Sequence, residues 1–234
     1  MKDQAVRAPL TTLEYDGNVP TRARSFEGET VSEEIFVRVL REAVSALEGA
    51  QIPYGALGGV ASAVLGRPRW THDADVFVRP VDAPAALDAL ADAGFDTQRT
   101  NPHWLFKGIK DGVLVDVLFR ARGDIYLDDE MIERLVDTEF QGVPLKTIPP
   151  EDLIVIKAII HDEETPRHWN DAIAILASSD LDWEYLVRRA RSGPRRVLSL
   201  LLYAQSSDVA VPNAPIKDLF GLVFEGGEHD GRDG

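Results

Sequence analysis

The 234-residue sequence contains no cysteine. Disulfides, thiolate nucleophiles and cysteine-based zinc sites are therefore excluded. Basic residues are also scarce: 25 lysines and arginines stand against 39 acidic residues, a formal net charge of −14. Such a surface repels phosphate backbones over most of its area, which argues against a broad nucleic-acid footprint. Long apolar runs are missing too. None approaches the ~18 residues of a membrane span, although 44% of the chain is hydrophobic and can fill a core. The opening Met1-Lys2-Asp3-Gln4 is not followed by the apolar stretch of a secretory signal. The expectation is a cytoplasmic protein with no membrane partner. Several common signatures are absent. There is no Gly-x-x-x-x-Gly-Lys-Ser/Thr loop, no Gly-x-Gly-x-x-Gly after a strand and no Gly-x-Ser-x-Gly elbow. His161-Asp162 lacks the further ligands of a metal phosphohydrolase, and no internal repeat is visible.

What is present concentrates in residues 58–78, which read Gly-Gly-Val-Ala-Ser-Ala-Val-Leu-Gly-Arg-Pro-Arg-Trp-Thr-His-Asp-Ala-Asp-Val-Phe-Val. The glycine pair follows the short strand pattern of Pro53 to Leu57 and opens an apolar helix reaching about Leu65. Glycine lets backbone approach a ligand closely, and free N–H groups at a helix start bind phosphate oxygens. The plainer alternative is a tight strand-to-helix turn. Asp73 and Asp75 then enter a strand at i and i+2, so they share one face. Two carboxylates that close repel each other, and one tends to take up a proton unless a cation lies between them. Oxygen ligands of this kind suit a hard divalent ion. His72, on the opposite face from Asp73, reads as structural. Arg69 could bind a phosphate or remain a solvated loop cation.

Val113 to Phe119 is an apolar, β-branched run interrupted by one aspartate, Asp116. A lone buried carboxylate is costly unless paired or bound to metal. If this strand lies beside that of Asp75, the carboxylates of Asp73, Asp75 and Asp116 converge on one or two Mg²⁺.

The remaining chain supplies a frame. Residues 1–29 read as a loosely docked arm. Residues 31–49 form a helix capped by Thr30 or Ser32, with Glu33 and Glu34 in its first turn and a stripe of Ile35, Val39, Leu40, Val44 and Leu47. A second helix covers 82–94, with Leu87, Leu90 and Ala91 inward. His103–Lys110 and Val113–Arg120 form a hairpin around Asp111-Gly112. A short helix at 129–135 and small strands around Gly142 follow. At Pro149-Pro150 the pattern turns wholly helical, with helices near 151–161, 166–177, 182–191 and 194–206. The expected division is an arm over 1–29, a core over 30–148, a helical subdomain over 149–212 and an acidic flexible tail over 213–234. The fold class is α+β: a mixed sheet flanked by helices, then a helical bundle.

Gly58-Gly59, Arg69, Thr71, Asp73-Ala74-Asp75, Asp116 and Glu151-Asp152-Leu153-Ile154-Val155-Ile156-Lys157-Ala158, in that order, resemble the nucleotidyltransferase superfamily with its polymerase-β-like fold. The longer form is similar to bacterial abortive-infection and toxin-type members. The resemblance covers roughly residues 52–175. It implies Mg²⁺-dependent transfer of a nucleoside monophosphate from an NTP to a hydroxyl on RNA, a small molecule or a protein. It also implies a place in a toxin–antitoxin or phage-defence system, with an antitoxin as partner. A non-catalytic nucleotide- or partner-binding module is the alternative. By resemblance, Asp73, Asp75 and Asp116 are catalytic and hold the metal, while Gly58, Gly59, Ser62, Arg69, Lys157 and Asp171 bind nucleotide. Lys157 interrupts an apolar stripe whose helical neighbours are Leu153, Ile154 and Ile160. Such a lysine needs an anionic partner or a route to water. Asp171 matches the later family aspartate, but the usual basic stretch before it is replaced by His161-Asp162-Glu163-Glu164-Thr165-Pro166. Arg188, Arg189, Arg191, Arg195 and Arg196 cluster in this acidic chain, either complementing a helix C-terminus or forming a contact patch for an RNA acceptor or an acidic partner.

Overall fold

A computed structural model describes residues 31–225. The expected arm over 1–29 and the end of the chain beyond Glu225 lie outside the described residues. Helix α1 spans Glu33–Gly49, and its first turn is closed by the Ser32 side chain, which accepts from the Ile35 N–H. Its inward row is Phe36, Val39, Leu40, Ala43, Val44 and Leu47. Phe36 thus takes the place expected of Ile35, which stays half-buried.

A seven-stranded mixed sheet follows, in the order β3-β4-β5-β2-β1-β7-β6. Its strands are β1 Tyr54–Leu57, β2 Asp73–Val78, β3 Asp96–Asn101, β4 Leu105–Lys110, β5 Val113–Leu118, β6 Val136–Phe140 and β7 Val143–Thr147. β2 pairs with β5, and β1 with β7, in parallel; the other neighbours are antiparallel. The apolar run 113–118 is central, as its composition suggested, with Val113, Val115 and Val117 fully buried. β3 was not expected. Its sequence Asp-Thr-Gln-Arg-Thr-Asn is polar and largely exposed, so an edge strand held by its ladder to β4 leaves no hydrophobic signal.

α1 and α3 (Ala83–Asp92) cover one sheet face, in a core that includes Phe36, Leu90, Phe95, Phe106, Val76 and Val115. The other face meets α2 (Gly58–Leu65) and the C-terminal helices, in a second core that includes Leu57, Phe77, Ile148 and Ile154. The described residues belong to one compact unit, so the change at Pro149-Pro150 is a change from sheet to helices within it.

After α4 (Asp129–Glu133), the helical half is α5 Pro150–Ile160, α6 Arg167–Ser178, α7 Trp183–Arg189 with a 3-10 turn to Ser192, α8 Pro194–Ser206 and α9 Asn213–Phe224. α9 corrects the expected tail: Pro215 and Leu219 are buried, so its first half docks rather than frays. α5 is the axis of this half, buried without a break from Glu151 to Ile159. Its two leading carboxylates do more than complement a helix dipole. Glu151 Oε1 accepts the Asp182 N–H at 2.7 Å. Asp152 accepts Tyr185 Oη and Arg189 Nε, each at 2.5 Å, and Arg189 also pairs with Asp128. Burial pushes the Asp152 carboxyl up to about 6 against the opposing pull of Arg189 and Tyr185. Among the described residues no helix is long and apolar enough to cross a membrane.

Breaking a buried ion pair from one side leaves an uncompensated partner, at a cost of about 3–5 kcal/mol. Asp152→Ala is expected to destabilise by that order, since it leaves Tyr185 Oη without its partner and Arg189 with Asp128 alone. Tyr185→Phe, which removes one hydrogen bond, is expected to cost about 1–3 kcal/mol. Urea unfolding of the two variants checks both the values and their order.

Candidate active site

β1 runs into α2 without a connecting residue: Leu57 ends the strand and Gly58 starts the helix. Gly58 has φ +61°, and a Cβ there would lie 1.8 Å from Asp75 Oδ2. A Cβ on Gly59 would lie 2.2 Å from Thr71 Oγ1. Both glycines are therefore required by the closeness of β2, and the first also by its left-handed backbone. The Gly59 N–H lies against the Asp75 carboxylate and favours its charged form. Ser62 takes a different part from the nucleotide contact expected of it. It is 2% exposed, and its hydroxyl donates to Gly58 O at 2.5 Å, stapling the turn.

The carboxylates come from two adjacent strands. In the β2–β5 register Asp75 stands opposite Asp116 and Asp73 opposite Leu114. Alternation puts Asp73, Asp75 and Asp116 on one face. Burial, then the charges of Asp73 and Asp116, push the Asp75 carboxyl up to about 7. Burial also raises Asp116, opposed by Lys107, whose Nζ is 3.1 Å from Asp116 Oδ1. That oxygen is buried and has no hydrogen bond of good geometry. Asp73 Oδ1 accepts from Thr71 Oγ1 at 2.8 Å. With Thr71 on one carboxylate and Lys107 on another, the three share a face but are not drawn together around a common point. Among the described residues no group of His, Cys, Asp or Glu forms a ready cage for an ion. His72 is exposed and accepts from Trp70 Nε1 at 3.0 Å, away from this face.

The expected nucleotide contacts Arg69, Lys157 and Asp171 form one buried network beside Asp75. Arg69 grips Asp171 with both ends, Nε to Oδ1 at 3.1 Å and Nη2 to Oδ2 at 3.0 Å. Lys157 Nζ donates to the same Oδ2 at 2.9 Å, with its side chain 2% exposed. Burial opposes ionisation of Asp171, yet Lys157 and Arg69 hold its carboxyl below the ordinary value. Burial lowers Lys157, while Asp171 and, more weakly, Asp75 favour its charged form. The ammonium thus lies within the field of Asp75, as its place on an apolar helix suggested, but its nearest partner is Asp171. Two cations on one carboxylate leave one positive charge over at this side of the site.

Lys107 was missed. Its signal was available in the hairpin: a two-residue turn at Asp111-Gly112 pairs Lys110 with Val113, and counting back pairs Lys107 with Asp116.

A family model described as "Nucleotidyl transferase of unknown function (DUF2204)" matches residues 36–192. Among solved structures, the antibiotic-resistance factor ANT(2'')-Ia is similar with a TM-score of 0.52 at 13% identity, over 75% of this chain and 100% of that one. An antigenic nucleotidyltransferase-like protein from Paracoccidioides brasiliensis is similar with a TM-score of 0.51 at 14% identity, over 83% of this chain and 99% of that one. At these identities the likeness is one of fold. No curated protein matches the sequence at a significant level.

A carboxyl raised to about 7 in the fold, against ~3.9 in an unfolded chain, binds its proton more tightly when folded. Stability from Asp75 therefore falls as pH rises from about 4 to about 7 in protein freed of divalent ions. Denaturation in EDTA across that range is expected to show this slope, and Asp75→Asn to flatten it. A variant profile parallel to that of the wild type would contradict the assignment.

Proposed function

Since the chain belongs to the nucleotidyl transferase family whose model it matches, and so transfers nucleoside monophosphates, we propose that Asp73, Asp75 and Asp116 are its catalytic centre, acting with Mg²⁺ on an NTP and a hydroxyl acceptor. The observation that carries this reading is the register of Asp75 with Asp116, with Asp73 on the same face, beside a glycine turn that opens a helix. All three donors are carboxylate oxygens, the hard ligands a small divalent cation takes. Asp116 has a buried oxygen without a hydrogen bond, and Asp75 is costly to ionise without a cation. Those features suit a divalent ion that these three residues would hold, although their carboxylates are not gathered into a ready cage here. Once bound, it would supply charge neutralisation for the attacking oxygen and the departing pyrophosphate.

The protein's own groups do the rest by position and charge. The N–H groups at the start of α2, other than that of Gly59, which lies against Asp75, are offered to phosphate oxygens, as free amides at a helix start are. Lys157 and Arg69, with their surplus positive charge, lie on the same side and hold the triphosphate. Asp171 orients both. The acceptor's hydroxyl oxygen bonds to the α-phosphorus while the bond to the bridging oxygen of pyrophosphate breaks. Pyrophosphate leaves with that electron pair. The hydroxyl proton passes to Asp116, whose carboxyl burial holds above its ordinary value against the pull of Lys107.

Asp75→Ala and Asp116→Ala are expected to lose at least ~100-fold in transfer, the scale of one strong electrostatic stabiliser. Removing one carboxylate from a repelling group should leave the melting temperature unchanged or higher. The test incubates wild type and variants with NTPs labelled at the α-phosphate, plus total RNA, metabolites or protein, and records melting on the same samples. Transfer that persists in Asp75→Ala overturns the mechanism. A non-catalytic binder would be stabilised by NTP and Mg²⁺ yet label no acceptor.

A further inference from the structure

The ladders align one row of side chains across five strands. Leu57 on β1 pairs with Asp75 on β2, Asp75 with Asp116 on β5, Asp116 with Lys107 on β4, and Lys107 with Gln98 on β3. The row has direction. Gly58, next to Leu57, opens α2 against Asp75, and Lys157 and Arg69 lie on that side through Asp171. That end carries the groups suited to the NTP phosphates. Asp116 comes next, and Lys107 and Gln98 lie beyond it, away from the glycine turn.

Resting on the assignment of donor and base made above, we propose that Lys107 is an acceptor-binding residue, and that the acceptor carries a phosphate beside its attacking hydroxyl. A hydroxyl positioned to give its proton to Asp116 while attacking the α-phosphorus must approach from the Lys107 side, because the other side holds the triphosphate. There it meets an ammonium 3.1 Å from Asp116 Oδ1, on a side chain that is 25% exposed and so reaches solvent. In the same neighbourhood Leu114 and Ile109, partners in the β4–β5 ladder, form a half-buried apolar floor. Lys110, three residues on, turns to the other face, where it meets Ala93 O and Glu42. Lys107 does not have good hydrogen-bond geometry to Asp116. The ion pair with Asp116 takes at most one of its three N–H donors, and an ammonium is a compact point-charge binder of phosphate. A polycationic acceptor would meet like charge at this point.

The test measures nucleotide binding, acceptor binding and transfer separately. Full-length wild type, Lys107→Met and Lys107→Arg are given Mg²⁺ and α-labelled NTP. Acceptors are total RNA, a mixture of sugar phosphates and nucleoside monophosphates, that mixture after phosphatase, a polycationic aminosugar, and total protein. Label is expected on the RNA or on the sugar phosphates, the two arms separating those sources, and not on the phosphatase-treated mixture or the aminosugar. Lys107→Met is expected to raise the acceptor KM by about 10- to 100-fold, the range of one charged contact. Its NTP-induced thermal shift should match wild type, and Lys107→Arg should recover part of the acceptor affinity. With a non-transferable NTP analogue in place, the labelled acceptor class should stabilise wild type and not Lys107→Met. Label confined to neutral, cationic or protein acceptors overturns the proposal. So does an unchanged acceptor KM in Lys107→Met, or an absence of label in every arm while NTP still stabilises the protein. If NTP and Mg²⁺ give no stabilisation, the donor-site assignment has failed, and this proposal falls with it.

Discussion

Asp75 and Asp116 face each other across the β2–β5 ladder, and like charges placed directly opposite destabilise a sheet. Neither can turn away without reversing the alternation that buries Ala74 and Val76 of β2 and Val115 and Val117 of β5 together in the core on the opposite face. The repulsion is therefore fixed by the core itself. Its neighbours moderate it one by one. Gly59 offers an N–H to Asp75, Thr71 donates to Asp73, and Lys107 sets a cation beside Asp116. The Asp75 carboxyl nevertheless stays raised to about 7. A fold that retains such a cost without a hydrophobic substitute is one whose carboxylates serve something other than stability.

The same constraint accounts for the helical half. Asp171 on α6 binds Lys157 from α5 and Arg69 from the loop before β2. Two cations on one nearly buried carboxylate fix the spacing of three separate segments. Ser179 Oγ donates to Leu65 O at 3.1 Å, and a Cβ on Gly66 would lie 3.0 Å from Ile175, so the end of α2 is seated on α6 as well. The C-terminal helices are thus tied to the end of α2 and to the loop before β2. Buried ion pairs contribute little net stability but are costly to break from one side. Positioning is the more physical account of why Lys157 is charged in a helix that is otherwise apolar over most of its length.

The sequence made the chemistry legible wherever a residue type conflicted with its surroundings. Asp116 in a β-branched run, Lys157 in an apolar helix and the glycine pair at a strand end all stood out for that reason. Their elements could be placed because hydrophobic period and turn chemistry agree there. Where that conflict was absent, no such signal was visible. β3 is polar and held only by ladder hydrogen bonds, and α9 lies in a stretch whose glycines and acidic residues suggested a tail. Ser62 could not be assigned from sequence, because a helix-start serine can face either a ligand or its own backbone. The partner of Lys157 was also out of reach, since sequence shows that a buried cation needs an anion but not which one. Lys107 is the opposite case, since the hairpin register needed to find it was already present in the Asp111-Gly112 turn.

The arginine cluster at 188–196 bears on how an acceptor is recognised. On sequence it could have been a basic patch in an acidic chain. In the fold Arg188 pairs with Glu130, Arg189 with Asp152 and Asp128, and Arg196 donates to His161 O. Arg195 lies over the Phe224 ring at 5.4 Å. Arg188 and Arg189 are thus spent in ion pairs, while Arg191, Arg195 and Arg196 are exposed. Broad nucleic-acid binding draws its affinity from several phosphates neutralised at once. A chain of formal net charge −14 in which two of the five clustered arginines are already paired is poorly built for that mode. On the acceptor proposal made above, contact with a phosphate would be local, made at the Lys107 end of the Asp75–Asp116–Lys107 row. That is the geometry of a chain end or a small molecule, and it requires only the one ammonium that the β4–β5 register puts there.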